Sequence, residues 1–293
     1  MLLAFCAWAC TGCSLHKENP EAVAKTSSNT SKALTDVVFA SPGGVDLLLD
    51  LHLPETSTPA PLVVYIHGGG WSSGNRKSHG MSWLNHHGYA VACIEYRMGR
   101  EAPFPAQIHD CKGALRWLRA HQDTYGYDAS KVVVAGMSAG GHLATLMGTT
   151  NGDQALEGTT AGHPGQSSRI QGVINYFGPS DFILRSKNQP DKTERRSGPV
   201  FQLLGGPVKS NLDPARLASP VTHISEGDPP LLILHGSEDR QVLLNQSQHL
   251  LERYQAQGLK AQLHVENGAG HGWIHPTSSE RKVVLKFLGE ILR

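Results

Sequence analysis

The chain has 293 residues, 39% hydrophobic and 17% charged, which is long enough for one large α/β domain or two small ones and has the composition of neither a disordered polymer nor a coiled coil. With 26 basic and 25 acidic residues the formal net charge is +1, which excludes the one-sided charge of a nucleic-acid binder or a polybasic membrane patch. The 16 His are scattered without an H-E-x-x-H spacing, so no metal site is expected.

Met1 to Leu15 is largely apolar and carries no formal charge. It is shorter than the roughly 20 residues of a spanning helix and reads as the apolar part of a secretion signal. Thr11-Gly12-Cys13 resembles a bacterial lipoprotein processing site, which implies acylation of Cys13, a membrane tether there, and a periplasmic or outer-membrane location. The alternative is an uncleaved N-terminus on a cytoplasmic protein. The polar run from His16 to Thr35 reads as a flexible tether. The expected organisation is therefore a leader over 1–15, a tether over 16–35 and one domain over 36–293. Of the five cysteines only Cys93 and Cys111 fall in that domain, both at apolar positions, as buried free thiols.

Val37 to Ala40 and Val45 to Leu53 predict a hairpin around Ser41-Pro-Gly-Gly44. Pro59-Ala-Pro61 breaks the chain. Leu62 to Ile66 is a fully apolar strand, as expected inside a parallel sheet, and it runs into His67-Gly-Gly-Gly-Trp71. A helix is expected over Lys77 to His87 and a strand over Tyr89 to Tyr96. From Pro105 to His121, the apolar residues Ile108, Cys111, Leu115 and Leu118 recur at helical spacing. Val132 to Val134 is a buried strand ending in Gly136-Met-Ser138-Ala-Gly140, and a helix follows. Asn151 to Ser168 reads as a surface loop. Gly172 to Phe177 is a strand. Gly178 to Thr222, with several Pro and Gly, is expected to be irregular, a short flap at most. Leu231 to Leu234 and Gln262 to Val265 are strands. Leu243, Leu250, Leu251 and Tyr254 mark one helix; Val284, Phe287, Leu288 and Ile291 mark another. The alternation predicts a mostly parallel sheet of about eight strands with helices on both faces, and ligands beyond the carboxyl ends of the strands.

The chemistry gathers at those ends. Gly136-x-Ser138-x-Gly140, between a strand and a helix, exposes a serine on a strained turn. A serine nucleophile needs a base in hydrogen-bond reach and an acid to fix the base's tautomer. His271, in a Gly-rich turn after the last strand, is the best base. Asp239, after Leu231 to Leu234, is the best acid; Glu238 and Asp181 are rivals. His142, on the helix leading away from the turn, reads as structural or pocket-lining, His264, in a strand, as structural, and His275, followed by Pro276, as a weaker base. His67-Gly-Gly-Gly70 can bring backbone N–H groups to an oxyanion: Gly69, Gly70 and Ala139 are the donors, and His67 buttresses the loop. Each such donor contributes about 3 kcal/mol in comparable sites.

Taken together, Tyr65-Ile-His-Gly-Gly-Gly-Trp71, Glu95-Tyr-Arg97, Phe104-Pro-Ala-Gln-Ile-His-Asp110, Gly136 to Leu143, Ala218 to Ile224, His235 to Asp239 and Gly270-His-Gly272 resemble the α/β-hydrolases of the esterase/lipase group that includes the hormone-sensitive-lipase-like carboxylesterases. Within it, the chain is most similar to the feruloyl and acetyl-xylan esterase-like branch. The resemblance implies an α/β-hydrolase fold with a minimal cap or none, a triad of Ser138, Asp239 and His271, the oxyanion donors above, and no cofactor. Trp71, Phe104, Asp181, Phe182 and Trp273 are candidates to line a pocket for an aromatic or sugar group, with ordinary packing an equal reading for Phe104 and Trp71. The implied activity is hydrolysis of a small-molecule or polysaccharide-linked ester. An arylformamidase-like amidase and an inactive hydrolase fold used as a binding module remain open beside it, and nothing in the sequence fixes the oligomeric state.

Overall fold

The structure, a computed structural model, describes residues 32–78, 80–272 and 277–292. The expected leader and all but the last residues of the expected tether lie outside these. So do Trp273 and His275.

The first strand, β1 (Lys32–Ala40), starts within the stretch read as tether. Leu34 is buried and pairs with Leu51, so residues 32–35 belong to the sheet despite their polar neighbours. A register shift follows at Asp36, whose φ is 60° and whose N–H donates to Asp50 Oδ1 at 2.9 Å. β2 (Leu47–Leu53) is antiparallel to β1. β3 (Ala60–Ile66) begins inside the Pro59-Ala-Pro61 break, with Pro61 at its register shift. The helix expected over Lys77 to His87 is two 3-10 turns, Arg76–Ser78 and Ser82–His87. Gly80 lies between them. A Cβ there would come 2.6 Å from the Tyr65 hydroxyl, so only glycine fits against that side chain.

β4 (Ala90–Ile94) and α1 (Ala106–Ala120) follow, then the single turn α2 (Gln122–Tyr125), β5 (Tyr127–Met137) and α3 (Ala139–Thr149). The loop after α3 contains one turn, α4 (Gln154–Glu157), then comes β6 (Gly172–Tyr176). The stretch expected to be irregular is helical: α5 (Phe182–Asn188), α6 (Pro190–Thr193), α7 (Pro199–Leu204) and α8 (Leu212–Leu217). Its Pro and Gly residues bound these helices. Pro190 and Pro199 occupy first turns, where a missing N–H costs nothing, and Gly205 stops α7 at φ 71°. β7 (Leu231–Gly236), α9 (Asn245–Ala256), β8 (Ala261–Glu266) and α10 (Ser278–Leu292) follow.

The sheet has eight strands in the order β1-β2-β4-β3-β5-β6-β7-β8, with β1/β2 and β2/β4 antiparallel and the rest parallel. Two cores flank it. Leu62, Val64 and Ile66 of β3 pack with Ile108, Leu115 and Leu118 of α1 and Leu143 of α3. Val63 and Tyr65 turn the other way, towards Met81, Leu84 and, on α10, Val284 and Leu288. A strand buried on both faces has no polar side to show, which is why β3 reads as a continuous apolar run. The strand order reverses at β3 and β5, so a crevice opens beyond their carboxyl ends. Cys93 and Cys111 are buried and free, and burial pushes both thiols up and out of reactive range.

Candidate active site

Ser138 follows β5 directly and holds φ 53°, ψ −116°, a conformation that L-residues rarely adopt. The turn persists because its surroundings fix it. The Ser138 N–H donates to Tyr176 O at 2.8 Å, and the Ser138 carbonyl accepts the His142 N–H at 3.0 Å. Both flanking glycines are sterically required. A Cβ on Gly136 would lie 2.3 Å from the Gly140 backbone, and one on Gly140 would lie 2.0 Å from Ile66 O.

His271 comes from the turn after β8. Its Nε2 is 2.9 Å from Ser138 Oγ and its Nδ1 2.7 Å from Asp239 Oδ2. The edge of Phe177 supports the ring, with centroids 4.7 Å apart. The loops carrying the acid and the base are tied together: the Gly268 N–H donates to Ser237 Oγ and the Glu238 N–H to Ala269 O, both at 2.9 Å. Glu238 itself is exposed.

Asp239 is buried. Burial alone would push its carboxyl up. Hydrogen bonds from His235, His271 and the Val242 N–H outweigh that and hold it well below the usual carboxylate range, so it is an anion at neutral pH. Its Oδ1 accepts the N–H groups of Gln241 and Val242 at 2.8 and 2.9 Å. The contact from His235 was not expected from sequence; that residue lies four positions before the acid at the end of β7, and only the folded strand end turns it inward.

The glycine loop lies against the serine turn. A Cβ on Gly68 would sit 2.9 Å from Met137 O and 3.4 Å from Ser138 Cβ. Gly69 and Gly70 have φ of 111° and 61°, and the Gly69 carbonyl accepts the Ser72 and Ser73 N–H groups in a tight turn. Ala139 opens α3 immediately after Ser138. His67 is buried beneath the loop, stacked on Tyr96 at 4.5 Å, and donates Nδ1–H to Gly68 O at 2.7 Å. Burial pushes it down to about 4, so it is neutral and acts as a buttress.

The rival residues lie elsewhere. His142 donates Nε2–H to Ala218 O at 2.6 Å and accepts the Trp71 indole N–H at 3.2 Å; buried and neutral, it holds the insertion to α3. Asp181 caps α5, its Oδ1 accepting the Ile183 and Leu184 N–H groups. His264 pairs with Glu266 at 3.3 Å.

A cleft of about 860 Å³ lies over the serine. Of the expected pocket residues, Trp71 lines it. Three others do not. Phe104 packs against the core, Phe182 is fully buried on Trp71 and His142, and Asp181 is committed to its cap. Trp273 lies outside the described residues. Arg185 and Pro199, from the helical insertion, and Gln241 line the cleft without having been anticipated.

A family model described as BD-FAE matches residues 49–254, a span that holds Ser138 and Asp239 but not His271. Esterase LipC of Mycobacterium tuberculosis is 32% identical, covering 73% of this chain and 53% of its own length. A solved structure described as a truncated form of carbohydrate esterase from gut microbiota is 30% identical with a TM-score of 0.80, covering 91% of this chain and 99% of its own. A bifunctional GH43-CE of Bacteroides eggerthii is 33% identical with a TM-score of 0.79, covering 88% of this chain and 35% of its own. The chain spans about half the length of the curated relatives it matches. With its sheet, its serine turn and the greater part of its length matched, this chain belongs to the BD-FAE family, on an α/β-hydrolase fold.

Proposed function

We propose that this protein is a serine carboxylic-ester hydrolase that works through an acyl-enzyme, on short acyl or feruloyl esters carried by carbohydrate. The observation that carries the reading is the His271 imidazole, 2.9 Å from the Ser138 hydroxyl on one side and 2.7 Å from the Asp239 carboxylate on the other. As Ser138 Oγ attacks the ester carbonyl, His271 Nε2 takes its proton. Asp239 holds Nδ1–H, keeps Nε2 free to act as base and stabilises the imidazolium that forms. The N–H groups of Gly69, Gly70 and Ala139 meet the oxyanion. His271 then protonates the departing alcohol. Water follows the same route, giving a proton to His271 as it attacks the acyl carbon, and His271 passes that proton to Ser138 Oγ as the C–O bond breaks and the free acid leaves.

The carbohydrate half of the reading is supported by the two carbohydrate-esterase neighbours. Its test is a panel of acetylated xylan, methyl ferulate, N-formylkynurenine and p-nitrophenyl esters of rising chain length. Highest kcat/KM on the sugar-linked or feruloyl esters is expected. Preference for N-formylkynurenine would replace this reading with the amidase. Ester turnover that survives Ser138→Ala would reject the mechanism itself.

A further inference from the structure

Arg185, on α5, is 5% exposed and lines the cleft over Ser138 and His271. Its Nη2–H donates to Gln241 O at 2.9 Å, while its Nε–H is buried with no partner. The contrast with other buried arginines is sharp. Arg76 is paired with Asp36, Asp50 and Glu95, and Arg116 with Glu157. Arg185 forms no such ion pair among the described residues. Asp239 and Asp191 are near enough to favour its charge, but Asp239 is already bound by His271, His235 and two backbone N–H groups. Burial lowers Arg185 to about 10, which leaves it a cation at neutral pH. A buried cation normally has an anion against it, because desolvation without a partner is costly. Here the cation lies at the wall of a substrate cleft with donors to spare.

We infer that Arg185 forms a carboxylate subsite, so that the preferred substrates are esters of uronic-acid sugars. This rests on the ester-hydrolase reading of the site and deepens it. A carboxylate suits the guanidinium because the planar fork offers it two parallel N–H donors. The subsite belongs to the alcohol part of the ester. Arg185 is bonded to Gln241, in the loop that carries Asp239 behind His271, and His271 is the group that hands a proton to the leaving alcohol.

The test is calorimetric titration of the Ser138→Ala chain, which cannot turn over, with acetylated methyl glucuronide and acetylated methyl glucoside. The glucuronide is expected to bind at least about tenfold more tightly, the effect of one charge-assisted pair. In the Ser138→Ala/Arg185→Gln chain the two sugars should bind within about twofold of each other. Equal binding in the Ser138→Ala chain, or a preference that survives Arg185→Gln, overturns the inference. Should the double variant not fold, equal binding of the two sugars to the single variant still overturns the inference. The outcome is independent of catalysis: failure of the wild-type chain to hydrolyse p-nitrophenyl acetate would sink the ester-hydrolase reading and leave the titration's answer standing.

Discussion

His235 Nε2 lies 3.2 Å from the same Asp239 oxygen that meets His271, so one carboxylate oxygen serves two imidazoles. His235 is buried and anchored at both ring nitrogens: its one Nε2–H is shared between Val242 O at 2.9 Å and that carboxylate oxygen, and Nδ1 accepts the Ser247 hydroxyl at 2.6 Å. His235→Ala leaves those groups unpaired around a cavity. The expected cost is about 2–4 kcal/mol in urea unfolding. With the carboxylate less constrained, kcat on p-nitrophenyl acetate should fall about tenfold while KM changes little. An unchanged kcat would mean that Gln241 and Val242 position Asp239 without help.

Asp239→Asn should lower kcat by about four powers of ten, because the amide cannot hold His271 in the required tautomer. Asp181→Ala removes the α5 cap and the 3.4 Å contact of its Oδ2 with His249 Nε2, and should cost about 1–2 kcal/mol of stability with activity nearly intact. Steady-state kinetics and thermal melts on the two variants separate the roles. Reversed effects would assign the acid to Asp181.

His67 and His142 are both buried and pushed down to about 4 by desolvation. In the unfolded chain each titrates near 6.5. Above that value neither state is protonated and the full stability is present. As pH falls below it, the unfolded chain takes up protons that the folded one refuses, and stability is lost down to the folded value. Between pH 6.5 and 5 the loss is about 1.5 units at about 1.4 kcal/mol, or about 2 kcal/mol per imidazole. Urea midpoints at the two pH values measure it. His142→Gln should remove about half of the pH-dependent part, and an undiminished slope would show that other groups carry it.

Gly140→Ala should destabilise the fold by about 3 kcal/mol or more, since its Cβ would fall 2.0 Å from Ile66 O and neither backbone can move away. Gly152→Ala is the control. Gly152 has φ 84° and open space around it, so strain alone should cost about 1 kcal/mol. Equal losses in denaturant titrations would mean that the approach of β3 to the serine turn is looser than these distances indicate.

Much of the fold was legible because parallel strands buried on both faces have no polar side to disguise them, as β3 and β7 show. The meeting of Ser138, Asp239 and His271 was legible because each stands just past a strand that the apolar pattern marks. The insertion between β6 and β7 was not. Its helices run between 4 and 7 residues, too short for a 3.6-residue period to stand out, and their bounding Pro and Gly look like loop residues. Phe104 and Phe182 were misread for a related reason. Aromatic side chains serve a core and a pocket equally well, and only packing against Trp71 and His142 settles Phe182 in the first. Arg185 carried no signal at all: a charged residue on a short helix is ordinarily exposed, and burial against the acid's loop is a tertiary fact.

The base stands 133 residues downstream of the nucleophile. During synthesis, then, Ser138 leaves the ribosome long before His271 has been translated, and the contact between them cannot yet exist. His271 follows β8, which pairs with β7, so on the proposed mechanism any hydrolytic competence waits for the last parallel strand of the sheet to be in place.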